Sequence, residues 1–200
     1  MTAIITQGAS VRAAPGRRGV LKGIFGGGLA ALGLSACGNG IGNSNAQQLD
    51  ARVDATRDYL LSRYPGTQEL MQKSTGILYM PLMTEAGLGF GGAYGRGALR
   101  INDVTVDYYS AAQASFGLQI GAQQYAHALF FMTPEALAQF RASPGWVAGA
   151  DAKYAAADQA GSLGTDTTTS LSPVIALVFG QAGLIAGATV EGTKYTRIIP

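Results

Sequence analysis

The chain has 200 residues, 48% of them apolar, and a formal charge of +2. The excess of cations is confined to residues 1–36, where Arg12, Arg17, Arg18 and Lys22 meet no acid; the remainder carries ten Lys and Arg against twelve Asp and Glu. Once a segment that reads as an export signal is set aside, what is left is mildly acidic, which excludes the basic footprint of a nucleic-acid partner.

The first 36 residues run from a basic region through an apolar stretch, Ile24 to Leu34, to small residues before a cut, the order of a secretory signal. The apolar stretch is too short to span a bilayer. Leu34, Ser35, Ala36 and Cys37 resemble the lipobox of bacterial lipoproteins, which implies removal of residues 1–36 and acylation of the Cys37 thiol. The competing reading is a buried free thiol behind a failed membrane helix. Arg17, Arg18, Gly19, Val20, Leu21 and Lys22 resemble a twin-arginine export motif, with Val20 in place of the preferred Phe and Gly16 in place of Ser or Thr. Cys37 is the single cysteine, so no intramolecular disulfide forms, and an acylated thiol is no nucleophile. Two or more acyl chains hold a protein stably on a membrane. Membrane lipid is thus the first expected partner. Gly38 after the cysteine, rather than Asp, resembles the sorting signal for the outer membrane, so the expected location is the bacterial cell envelope, lipid-anchored and facing the periplasm.

Gly38 to Ala46 is rich in Gly, Asn and Ser without apolar periodicity and reads as a tether. Residues 37–46 are therefore taken as the lipidated terminus and linker, and 47–200 as one domain large enough for a sizeable core. Leu49, Val53, Leu60 and Tyr64 fall on one face of a helix over 47–64, with Asp50, Asp54, Arg57 and Asp58 elsewhere, and Pro65 and Gly66 end it. A short helical stretch, Thr67 to Lys73, leads to the apolar run Ile77 to Leu82, which suits a strand buried on both faces. Phe116, Leu118, Ile120 and Ala122 alternate with Gly117, Gln119, Gly121 and Gln123, predicting a strand with the first set packed. Thr133, Pro134 and Glu135 open a helix by capping hydroxyl, N1 proline and first-turn acid; Leu137 and Phe140 pin it, and Ser143, Pro144 and Gly145 stop it. Further strands are expected near 147–156, 173–179, 184–190 and 194–199, with 161–172 a loop.

Past residue 36 there are 21 glycines in 164 residues, above the usual share of about 7%. Gly87, Gly89, Gly91, Gly92, Gly95 and Gly97 crowd one stretch. Glycine repeated where a strand is expected indicates bulges, strong coiling or close backbone approach. The expected fold is α+β, a single domain with a strongly curved, barrel-like antiparallel sheet and a few helices.

Little here points to chemistry. Gly87, Gly89 and Gly92 satisfy G-x-G-x-x-G, but Ala93 to Ile101 looks extended where a dinucleotide site needs a helix. His127, the single histidine, lies among Tyr125, Ala126, Leu129 and Phe130 and reads as structural. No metal-ligand set, paired carboxylates or nucleophile triad is visible, so no enzyme activity, catalytic residue, metal or cofactor is expected. Tyr108, Tyr109 and Trp146 are aromatics near predicted turns, suited to a membrane interface or an apolar pocket. Arg96 and Arg100 share a strand face and could meet lipid phosphates.

Gly76, Ile77, Leu78, Pro81 and Leu82, then Ala86 to Gly92 with Tyr94, Gly95, Arg96 and Gly97, resemble the opening of the SYLF domain. The resemblance continues through Phe116, Gly117, Gln119, Ile120 and Gly121, then Gly149, Ala150 and Asp151, and finally Gly183 to Gly192. That family occurs in bacterial lipoproteins and in eukaryotic lipid-binding and actin-patch proteins, and it implies lipid binding, with phosphoinositides as ligands of eukaryotic members helped by a basic N-terminal helix. Here the helix balances Arg52, Arg57 and Arg63 against Asp50, Asp54 and Asp58, so polybasic attraction to anionic lipid is absent and phosphoinositide specificity does not carry over. Actin binding does not suit an exported protein. The expected function is a membrane-anchored, non-enzymatic lipid-binding domain; the alternative is an interaction lipoprotein that contacts another envelope protein, with lipid only its anchor.

Overall fold

The computed structural model describes residues 41–149, 152–156, 172–183 and 189–200. The expected export signal, Cys37, most of the expected 161–172 loop and most of the expected 184–190 strand lie outside them.

The chain begins with helix α1, Ser44–Arg63, and α2, Thr67–Lys73. The α1 start lies three residues before the expected domain boundary at 47. Asn43 is the cap, its Oδ1 accepting from the Ala46 N–H at 2.7 Å, and Ala46 is buried. Asn43 Nδ2 also donates to the Pro200 carbonyl at 3.1 Å, which ties the helix start to the far end of the chain. The expected core stripe is the observed one: Leu49, Val53, Leu60 and Tyr64 are buried.

Two long strands follow, β1 (Gly76–Ile101) and β2 (Val104–Phe131), paired antiparallel. Their hairpin turns on Asn102 and Asp103, both with positive φ, the backbone of a two-residue turn matched to strand twist. After helix α3 (Pro134–Ala142) come β3 (Trp146–Val147), β4 (Ala152–Ala156), β5 (Val174–Gly183) and β6 (Lys194–Ile198). The α3 start is as expected, with Thr133 accepting from the Ala136 N–H and Leu137 and Phe140 buried. Where one strand is expected over 147–156, the described residues form two, β3 pairing with β6 and β4 with β5. Across the sheet, β2 is the spine: β1 runs along one edge, while β5 and β6 share the other, with β4 beyond β5 and β3 beyond β6. All pairs are antiparallel except β4 with β5.

The sheet curls into a half-barrel, and the glycines show how. A Cβ on Gly95 would fall on the Leu82 carbonyl oxygen and the Met83 Sδ, and one on Gly97 on the Tyr79 carbonyl and the Met80 Sδ. The two halves of β1 therefore approach backbone to backbone across the inside of the curl, with thioethers filling the space the missing side chains leave. Period-two alternation separates two cores. On the inner face Tyr109, Ala111, Tyr125, Leu129 and Phe131 of β2 pack with Met80, Met83, Val178, Tyr195 and α3. On the outer face Tyr108, Ala126, Ala128 and Phe130 pack with Tyr79, Leu177, Phe179 and α1.

The expected alternation at the end of the 116–123 segment is reversed. Gln123 is buried, its Nε2 donating to Glu85 Oε2 at 2.7 Å, while Ala122 is exposed. Hydropathy alone assigned the faces wrongly because the inner face accommodates an amide hydrogen-bonded to a carboxylate across the ladder.

Gly97→Ala should cost about 1–3 kcal/mol, since the added methyl meets a backbone oxygen that has no room to move. Gly149→Ala, whose nearest neighbour would be 4.0 Å away, should change stability by less than about 0.5 kcal/mol. Urea unfolding of both variants checks this; equal midpoints would contradict the close approach.

Candidate functional site

Helix α1 divides into three stripes. The core stripe is Ala46, Leu49, Val53 and Leu60. On one flank of it, Asp50 accepts from Thr105 Oγ1 at 2.9 Å and from the Tyr108 hydroxyl at 2.8 Å. Asp54 accepts from Arg100 Nη1 at 2.6 Å, and Arg57 pairs with Asp103 of the hairpin turn at 3.1 Å. Burial and the bonded Asp50 carboxylate push the Tyr108 phenol well above its ordinary pKa, so it remains a donor.

The other flank carries Asn45, Gln48, Arg52, Thr56 and Tyr59, spaced by three and four residues. It borders two adjoining depressions. One, about 210 Å³, is lined by Asn45, Gln48, Arg52, Thr84, Tyr94 and Arg96, and no acid is among its lining residues. The other, about 400 Å³, is lined mainly by apolar groups, among them Ala55, Tyr59, Ala126, Phe179 and Ala182. Pro81 and Leu82 line both, so the two lie side by side along α1 and are taken together as a furrow, cationic at one end and apolar at the other. The sequence makes this junction locally. Pro81 has no N–H to give the ladder, and the β1 to β2 register slips between Met80 and Met83. The resulting bulge turns Leu82 outward, 41% exposed. The ladder slips again between Gln124 and Ala126 opposite β5, under the apolar end. Beside the furrow's cationic end Tyr94 is 56% exposed, and Phe90 further along β1 is 77% exposed.

The candidate residues from the sequence do not form one site. Arg96 lies in the furrow, whereas Arg100 is buried on the opposite flank of α1 in its pair with Asp54. Tyr108 and Tyr109 are buried within β2 rather than near turns, on opposite faces of the sheet, and both belong to the core. Trp146 is half-buried against Phe140 and Tyr195. Arg52, Tyr59, Leu82 and Phe179 were missed, although the 45, 48, 52, 56, 59 spacing was a readable signal for a second, polar-to-aromatic stripe.

His127 is fully buried on the inner face, with Nε2 2.8 Å from the Tyr195 hydroxyl. Burial lowers its pKa to about 3, which leaves no imidazolium for acid chemistry near neutrality. Among the described residues no three His, Cys, Asp or Glu side chains converge on a metal position, and no helix is long and apolar enough to cross a membrane.

A half-barrel sheet with a helix laid beside a furrow that is cationic at one end and apolar at the other defines an α+β domain. Residues 112–197 match the family model Ysc84, described as Las17-binding protein actin regulator. This is the SYLF family model, and its match over that segment agrees with the resemblance read from the sequence. The match covers most of β2 and everything to β6; the Arg52 and Arg96 end of the furrow lies before it. No curated protein matches the chain.

Because His127 is neutral when folded and takes a proton near pH 6.5 when exposed, its contribution to stability is constant above about pH 7 and falls as pH drops below 6.5 toward 3, by up to about 1.4 kcal/mol per pH unit. Between pH 6.5 and about pH 5 the unfolding free energy of the native chain should drop by about 2 kcal/mol relative to His127→Gln. Denaturant titrations of both proteins test this, and a pH-independent difference would show that the imidazole reaches solvent.

Proposed function

We propose that the protein is a non-enzymatic envelope lipoprotein, anchored through Cys37, whose SYLF domain binds an anionic phospholipid in the furrow beside α1. The supporting observation is the adjacency of the cationic depression, with Arg52 and Arg96, to the apolar one at Tyr59, Leu82 and Phe179. Arg52 and Arg96 present fork-shaped donors suited to phosphate oxygens, and the apolar end offers an acyl chain a surface out of water. The family match agrees with a lipid-binding role. What the family description says of Las17 and actin is not carried over, because the export signal directs this chain away from such partners.

Liposome flotation of residues 38–200, which lack both the acyl acceptor and the basic, apolar export segment, isolates the domain's own affinity. Vesicles containing an anionic phospholipid should carry the protein, and Arg52→Gln with Arg96→Gln should weaken binding about 30-fold, at about 1 kcal/mol per charge near an anionic surface. Tyr59→Ser should also weaken it. No flotation with any headgroup would reject the furrow and leave the alternative, contact with another envelope protein. Separately, wild-type protein should incorporate a labelled fatty acid in cells and Cys37→Ser should not; equal labelling would reject the anchor.

A further inference from the structure

A second cleft, about 490 Å³, lies on the ion-paired flank of α1, between α1, α2, the start of β1 and the hairpin turn. Its wall includes Arg57, Arg100, Tyr79, Gln68, Gln72 and Ser74, with Leu61, Met71 and Ile77 as the apolar part. Most of its charge is satisfied internally: Arg57 holds Asp103 and Asp58, and Arg100 Nη1 holds Asp54. Two buried atoms that belong to lining residues are not. The Tyr79 hydroxyl and Arg100 Nε have no hydrogen-bond partner among the described residues, though the two residues are only 1% and 7% exposed.

Both orphaned atoms are donors. A buried donor without an acceptor is costly, and most such groups in folded proteins have a partner. Since the unmet demand is for acceptors beside a guanidinium, the complementary ligand atom is a negatively charged oxygen. Burial raises the Tyr79 phenol above its ordinary pKa, which keeps the hydroxyl protonated and donating. The flanking Leu61, Met71 and Ile77 leave room for a short apolar body attached to that oxyanion.

We propose that this cleft is a second ligand site, which takes a small phosphate- or carboxylate-bearing molecule whose oxyanion accepts from the Tyr79 hydroxyl and Arg100 Nε. It is separate from the furrow, because α1 stands between Arg57 and Arg52. The two sites share no lining residue.

Full-length Cys37→Ser protein in detergent, titrated with inorganic phosphate, acetate, glycerol 3-phosphate and a short-chain phosphatidic acid, tests this by NMR. The Arg100 Nε–H resonance should shift with sub-millimolar affinity for at least one probe. Preference for glycerol 3-phosphate would identify a free metabolite, and preference for phosphatidic acid a lipid headgroup. Tyr79→Phe keeps the packed ring and should weaken binding about tenfold, while Arg52→Gln should leave it unchanged. An Arg100 resonance in the wild-type chain that no probe moves would overturn the proposal in favour of water in the cleft. Equal affinity in Tyr79→Phe would overturn the assigned contact, and loss in Arg52→Gln would assign the effect to the furrow.

Discussion

The contact on which the rest of the fold depends is the approach of β1 to itself. Gly95 and Gly97 set their backbone against the carbonyls of Leu82 and Tyr79, so a strand of 26 residues bends through the curl instead of running flat. A side chain at either position would hold the halves apart. With them together, Met80 and Met83 close the inner core, and the opposite face becomes a convex surface on which one helix can lie lengthwise. The Pro81 and Leu82 bulge belongs to the same bend. It relieves the ladder on the outer side and gives the furrow its apolar shoulder.

The sequence carried the helices well, because capping and apolar spacing act within a few residues. Thr133 with Pro134, and the Leu49, Val53 and Leu60 spacing, are local signals with local outcomes. It carried the curvature through the glycine concentration, a signal about backbone approach. Strand extent was less legible. The expected segments Ile77 to Leu82 and Phe116 to Gln123 are pieces of strands of 26 and 28 residues, since glycine breaks the hydropathy alternation without breaking the ladder. The burial reversal at Ala122 and Gln123 rests on a cross-strand hydrogen bond from Gln123 to Glu85, a tertiary contact that hydropathy does not register. The site was the least legible part. Tyr108 and Tyr109 suggested interface aromatics by composition, but their placement inside β2 makes them core.

Helix α1 shows why a charge sum misleads. Arg52, Arg57 and Arg63 balance Asp50, Asp54 and Asp58 in number, yet Asp50 and Asp54 face sheet partners on one flank and Arg52 stands on the other, in a depression whose lining holds no acid. The same helix thus holds itself to the sheet by hydrogen-bonded carboxylates and presents a cation elsewhere. Arg100 takes part in the first arrangement and Arg96 in the second, four residues apart on one strand face. The flank on which each meets α1, rather than its residue type, decides whether it is bound within the fold or lines the furrow.

This division bears on how much affinity the furrow must supply. On the proposed acylation of Cys37, five residues lie between the anchor and the α1 cap at Asn43, a span of at most about 20 Å when extended. Lipid headgroups are then present near the domain at the high effective concentration that tethering gives. A polybasic helix, which must bring a free protein to a membrane, has no such task here. On the proposed lipid binding, two arginines have only to select a headgroup that is already adjacent, and the acids that would weaken a membrane-seeking helix are free to hold α1 on the sheet.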